Sequence, residues 1–302
     1  MLLLQSFSAP RVWGSERMRD YGATAPSTGS VYSVAGTSKL NVGAIDTETG
    51  RQKTLRDFVN ENPAQFGLQK GEVYPVIVDM LGADQDLSIQ DHPSDAYART
   101  QGEPYGKDES WLFLTAPTSG TVYSGLQNPQ VKPTAADFSS GDPLPLLGTE
   151  PVAAGDYIFV PNGTLHAIRA GSLVYEIQQS TDITYRFYDY QRTGLDGQPR
   201  PLQLDQALAN LVPTNKVSKQ HPAANAVIEE KAYTLDIRIT AGDGDYTAPA
   251  GIASCMTVIQ GQLDLKNRRI RQGTSVMILP REEISFSGQA RVVIATPKRY
   301  WE

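Results

Sequence analysis

The chain contains three histidines, and two of them stand where a metal ion could be held. In DLSIQDHPSD (86–95), Gln90 and His92 are two positions apart. On a strand that spacing puts both side chains on one face. His166 closes GDYIFVPNGTLHAI (155–168), where a strand reaches Pro161, turns at Gly163 and returns with the imidazole on the next strand. Glu109, in YGKDESWLFL, opens a further strong strand. Two imidazoles, a carboxylate and an amide oxygen suit Zn²⁺ or a similar divalent ion, one per chain. Three firm protein ligands leave a position for water or substrate. A single histidine near a strand end is more often structural. Two such residues in so histidine-poor a chain favour the metal reading, whereas His221, in a polar linker, reads as a surface residue.

Such a site needs strands to carry it, and strand-like segments dominate. VYPVIVDML (73–81), WLFLTA (111–116), GTVYSGL (120–126), DYIFVP (156–161), SLVYEIQQ (172–179) and ITYRFYDY (183–190) are rich in Val, Ile, Tyr and Phe and bounded by turn residues. Helical signals are few: TLRDFVNENPAQFG (54–67), with a Thr cap ahead of Leu55, Phe58 and Val59, and LDQALANLV (204–212). The proline-rich stretch 127–149 reads as a loop or small helical insertion. Near 213–224 the composition turns polar, and beyond it strands recur at about ten-residue spacing, as in a sandwich or barrel. RQGTSVMILPREEISF (271–286) weakly echoes AAGDYIFVPNGTLHA (153–167), with Arg281 and Glu282 after its proline instead of a route to histidine. The expectation is an all-β protein of two β-barrels. Residues 1–218 would form the metal-binding catalytic domain, with the insertion at 127–149, and 219–302 a smaller degenerate domain without metal ligands.

Composition narrows the function. The 302 residues carry 27 Lys and Arg against 33 Asp and Glu, a net charge of −6. That balance argues against a nucleic-acid partner. With 40 % hydrophobic and 20 % charged residues, the chain has an ordinary globular composition. The one cysteine, Cys255, excludes a disulfide framework and fits a reducing, cytoplasmic compartment. MLLLQSF lacks the basic lead-in of a signal peptide, and no apolar run is long enough to span a bilayer as a helix. A small-molecule substrate is expected, with the chain a monomer or small homo-oligomer and no membrane partner.

Gly155 to His166 matches the second motif of the cupin superfamily (Gly, five residues, P-x-G, two residues, His), although Ala170 stands where the usual closing Asn would be. More closely, LSIQDHPSDAYA (87–98), GKDESW (106–111), VPNGTLHAI (160–168) and EIQQSTDITYRFYDYQR (176–192) resemble the short bacterial class of type I mannose-6-phosphate isomerases. The resemblance implies two cupin-type jelly-roll barrels and a zinc-dependent interconversion of mannose 6-phosphate and fructose 6-phosphate through a cis-enediol. It puts the zinc ligands on His92, Glu109 and His166, with Gln90 as fourth. The family's catalytic arginine falls on Arg186, and Lys107 and Glu176 match other active-site positions. Each of these three also has a plainer reading. Arg186 could pair with Asp189 or Asp182, Lys107 could be a solvated loop charge, and Glu176 could face the barrel bonded to backbone. Trp13 and Trp111 read as packing rather than as substrate platforms.

The chain departs from the family pattern at three places. Asp79 replaces a lysine, Asp91 replaces an apolar residue, and SVYSVAGTSKLNVG (30–43) replaces an N-terminal Trp- and His-containing motif. An unpaired Asp79 would repel a phosphate by about 1–4 kcal/mol, depending on the effective dielectric. Two His, one Glu and a Gln would also serve an Fe²⁺ oxygenase, and the departures leave two further alternatives: a sugar-binding or regulatory cupin that keeps the metal without turnover, and an isomerase of another, unphosphorylated sugar.

Overall fold

Val76–Gly82 is buried at every residue, as is Leu173–Gln179, and the adjacent Glu109–Thr115 over its first five. Strands of this kind lie between two layers, with alternate side chains entering each. In the computed structural model, which describes residues 1–301, they form the middle of a seven-stranded sheet. Its order is Ser218–Gln220, Tyr157–Val160, Glu109–Thr115, Leu173–Gln179, Val76–Gly82, Thr28–Val34 and Phe7–Pro10. A five-stranded sheet, Leu147–Pro151, Thr121–Leu126, His166–Ala167, Ile89–Asp91 and Tyr185–Tyr188, forms the other wall. Neighbouring strands in both sheets run antiparallel. Trp111, Phe113, Ile158, Val160, Ile89 and Phe187 belong to the apolar cluster of this sandwich.

The expected strands all form with shifted ends: the one expected from Trp111 starts at Glu109, and the one expected over 73–81 runs Val76–Gly82. The helix expected from residue 54 runs Leu55–Glu61, where the Thr54 hydroxyl accepts the Asp57 N–H at 3.2 Å and Leu55, Phe58 and Val59 are buried. Asn62 and Pro63 end it. The insertion 127–149 holds the short helix Ala135–Ser139, whose Phe138 packs on Phe187 with ring centroids 4.7 Å apart.

A third, ten-stranded sheet contains the C-terminal strands, among them Tyr233–Ala241, Ser254–Leu265, Ser275–Ile278 and Glu283–Pro297. Leu2–Gln5, Gly43–Asp46 and Gln52–Thr54 join it, Leu2–Gln5 pairing directly with Ser275–Ile278. A division at residues 218 and 219 does not anticipate this exchange, because it rests on composition along the chain and not on pairing across it. Ser275–Ile278, with Gly273 at φ +82° ahead of it, occupies the same local setting as Tyr157–Val160 behind Gly155 at φ +91°. Where the first copy proceeds to His166, the second places Glu282 on the N-terminal amine at 2.9 Å.

The outer face of the seven-stranded sheet packs on the C-terminal unit. Val78, Tyr175 and Ile177 share one core with Tyr233, Leu235, Cys255 and Val293. Polar contacts run through it: the Ser110 hydroxyl meets Tyr157 Oη at 2.6 Å and Tyr233 Oη at 2.7 Å, and Tyr74 donates to the Ala253 carbonyl at 2.8 Å.

Candidate active site

Inside the sandwich, side chains line up in rungs across the strands. Tyr32 lies opposite Asp79, Asp79 opposite Glu176, and Glu176 opposite Trp111. The adjacent rung sets Gln178 opposite Glu109 and Glu109 opposite Val160. The facing sheet presents Gln90 between His166 and Arg186. A cavity of about 580 Å³ lies between these walls, lined by Asp79, Gln90, Lys107, Glu176, Gln178 and Arg186 among others.

His92, Glu109 and His166 come together beside it. Their ligating atoms lie within 4.8 Å of one another, and all three residues are buried. The strand Glu109–Thr115 delivers the carboxylate at its first residue. His92 follows Ile89–Asp91 immediately. Its carbonyl accepts the Gly163 N–H at 2.8 Å, which ties its loop to the turn leading to His166. Gly163 sits at φ +71°, and a Cβ there would lie 2.7 Å from the Asn210 carbonyl oxygen, so glycine is required. Asp108 pins the third loop, accepting the Asn162 backbone N–H at 2.8 Å.

Each imidazole is held by Nδ1 against a backbone carbonyl, His92 on Ile183 at 3.0 Å and His166 on Thr164 at 2.7 Å. Nδ1 is then the protonated nitrogen, and Nε2 keeps its lone pair directed at Glu109, 3.1 and 3.2 Å away. His166 Nε2 has no hydrogen-bond partner. Burial, reinforced by the Lys107 charge, lowers His92 to about 3, so it is neutral at ordinary pH. Burial alone would push Glu109 up, but the Lys107 ammonium beside it holds it well below the usual carboxylate range. Two imidazole nitrogens and a carboxylate at this spacing fit a divalent metal ion.

The other predicted residues surround this group. Lys107 is buried rather than solvated, its Nζ 2.7 Å from Glu109 Oε2 and 3.0 Å from His92 Nε2. Burial acts to lower it, and Glu109 and Glu176 more than reverse that, so it stays charged. Gln90 lines the cavity with its Oε1 3.1 Å from the Ser88 hydroxyl. The Arg186 guanidinium makes no ion pair among the described residues, and its Nε lacks a hydrogen-bond partner. Asp189, one of the two partners open to it in the sequence, is taken by Arg192 at 2.7 Å and Arg200 at 2.6 Å. Glu176 lines the cavity, raised well above the usual carboxylate range by burial, then by Asp79 and Glu109. Trp111 packs against the His166 ring at 5.6 Å, whereas Trp13 lines the cavity. His221 is exposed and bonds Asp156 at 2.7 Å.

Arg11, Tyr32 and Gln178 also line the cavity and escaped the sequence reading. Gln178 was within reach: two positions beyond Glu176 on a recognised strand, it must share that face. Nothing local marks Arg11 or Tyr32.

Paired antiparallel sheets around a buried His-Glu-His group define a cupin-type all-β protein. No protein-family model matches the chain. It is 35 % identical over 215 residues to "Probable mannose-6-phosphate isomerase GmuF" of Bacillus subtilis (strain 168), 68 % of this chain and 67 % of that one. It is 32 % identical over 229 residues to mannose-6-phosphate isomerase ManA of the same organism, 74 % of this chain and 71 % of that one. The crystal structure of a mannose 6-phosphate isomerase from Bacillus subtilis superposes with a TM-score of 0.82 at 24 % identity, covering 98 % of this chain and 99 % of that one. The chain belongs to the mannose-6-phosphate isomerase family.

Proposed function

We propose that this protein interconverts mannose 6-phosphate and fructose 6-phosphate through a cis-enediol, using one Zn²⁺ held by His92, Glu109 and His166, with Gln90 as fourth ligand. The observation that carries the reading is the buried His-Glu-His group with its Nε2 lone pairs turned inward, beside a polar cavity that Arg186, Lys107 and Glu176 enter. A bound divalent ion supplies Lewis-acid polarisation of the sugar's carbonyl or adjacent hydroxyl oxygen.

The chain's own groups supply the rest. Arg186, permanently charged and without a carboxylate partner, is available to the phosphate or to the negative charge of the enediolate. Lys107, charged and buried, stabilises anionic oxygen beside Glu109 and keeps that carboxylate ionised. Glu176 is suited to hold and return a proton, because burial and its carboxylate neighbours favour its protonated form.

The test is proton NMR of zinc-loaded protein with mannose 6-phosphate in D₂O, with mannose run beside it. Formation of the ketose phosphate, abolished by a chelator, is the expected result. Firm metal binding with no change in either sugar would refute the isomerase reading in favour of a binding protein. Turnover of mannose alone would replace the substrate.

A further inference from the structure

Asp79, on Val76–Gly82, lies directly opposite Glu176, on Leu173–Gln179, and both line the cavity. Directly opposed residues on one face of an antiparallel pair have Cβ atoms about 4.5–5.5 Å apart, so the two carboxyls are neighbours. Asp79 is 2 % exposed, and its Oδ1 has no hydrogen-bond partner. Among the described residues no cation is ion-paired to either carboxyl: Lys107 bonds Glu109 and His92, and Arg11 bonds the Pro10 carbonyl at 3.1 Å.

We propose that Asp79 and Glu176 form a single acid–base unit that moves a proton between the two oxygens of the sugar's reacting carbons. Resting on the isomerase reading above, this gives Asp79 a role in the same reaction. Two carboxyls so placed in a buried site hold one proton between them. The protonated carboxyl gives its O–H proton to the C1 carbonyl oxygen as it becomes the enediol hydroxyl. The ionised one takes the proton of the C2 hydroxyl as that oxygen becomes the ketose carbonyl. One O–H bond breaks and one forms at each oxygen–carboxyl pair, while the proton lost from C2 and the one gained at C1 pass through a separate base, and the unit ends as it began, with one proton. C1 is reduced at the expense of C2 within the same molecule, so no outside oxidant or reductant takes part.

The groups facing the pair are consistent with one shared proton. Burial raises Asp79 to about 7, with Glu109 adding to it and Ser30, Lys107 and Arg11 opposing. Tyr32, opposite Asp79 on the neighbouring strand, is itself pushed up by burial and by Asp79, and so stays a neutral phenol.

Asp79→Asn tests the assignment, with zinc-loaded protein and mannose 6-phosphate in D₂O. Two rates are followed: ketose formation, and deuterium entry at C2 of the recovered aldose phosphate. Asparagine cannot exchange a proton, so ketose formation should fall about a hundredfold. Exchange at C2 needs only the first donation, to the C1 oxygen, which the remaining Glu176 carboxyl can still make, so it should fall far less, raising the exchange-to-conversion ratio at least tenfold. Asp79→Glu should restore conversion in part. If Asp79→Asn does not fold, Glu176→Gln must show the same change in ratio. An unchanged ratio, whether both rates persist or fall together at full zinc content, overturns the proposal. Wild-type protein that neither converts nor exchanges refutes the isomerase reading, and the relay with it.

Discussion

Asp91 offers a sharp quantitative test of how this site is supported. It lies on Ile89–Asp91 between Gln90 and His92, faces away from the cavity and is fully buried, with neither carboxylate oxygen bonded. Burial alone raises its pKa from 3.8 to about 9. The folded state therefore takes up a proton that the unfolded chain releases above about pH 4. The sign follows: stability associated with this group is fully present below pH 3.8 and is lost as the pH rises towards 9. Each pH unit in that window costs about 1.4 kcal/mol, so about 4 kcal/mol is lost between pH 5 and pH 8. Asp91→Asn keeps the shape and cannot ionise; the cost of its buried amide is the same at every pH. The variant's stability relative to wild type should thus improve by about 4 kcal/mol between pH 5 and pH 8. With an unfolding entropy of about 0.6 kcal/mol/K for 302 residues, this is about 6 °C in Tm. Thermal unfolding of both proteins at half-unit pH steps, with chelator present so that metal release adds nothing, measures it. Parallel curves would show that Asp91 does not gain a proton on folding, and would refute the argument.

Further outcomes follow from the site. His166→Ala and Glu109→Ala should each lose stoichiometric zinc and reduce kcat at least about a thousandfold, checked by metal analysis and steady-state kinetics. Arg186→Lys keeps the charge but not the planar fork, and should lower kcat/KM by about 10–100-fold with zinc content unchanged. Gly163→Ala places a Cβ 2.7 Å from the Asn210 oxygen at φ +71°, and should cost about 2–3 kcal/mol in denaturant unfolding. It should also weaken zinc binding, because that turn sets His166 against His92.

Much of the site was readable because its motifs are local. The two-residue period of Gln90 and His92, the turn at Gly163 and the strand opening at Glu109 need only neighbouring residues to be recognised. The Thr54 cap and the Val- and Ile-rich strands are local for the same reason: backbone geometry and side-chain alternation act over a few residues. The loops around Lys107 were less clear, since burial of an ammonium depends on what closes over it. Lys107 is enclosed because Glu109, and His92 from another segment, lie against its Nζ.

Local patterns along the chain specify the all-β class, the strand segments and the residue types that can bind a metal. The tertiary structure alone decided which of them meet. Asp79 and Glu176 are almost a hundred residues apart and become neighbours only through the pairing of their strands. Asp189 is withheld from Arg186 because Arg192 and Arg200 reach it first. Leu2–Gln5 crosses into the C-terminal sheet, where an open edge beside Ser275–Ile278 receives it. In each case the partner is chosen by hydrogen-bond register and burial between segments distant in the chain, and no local pattern encodes that choice.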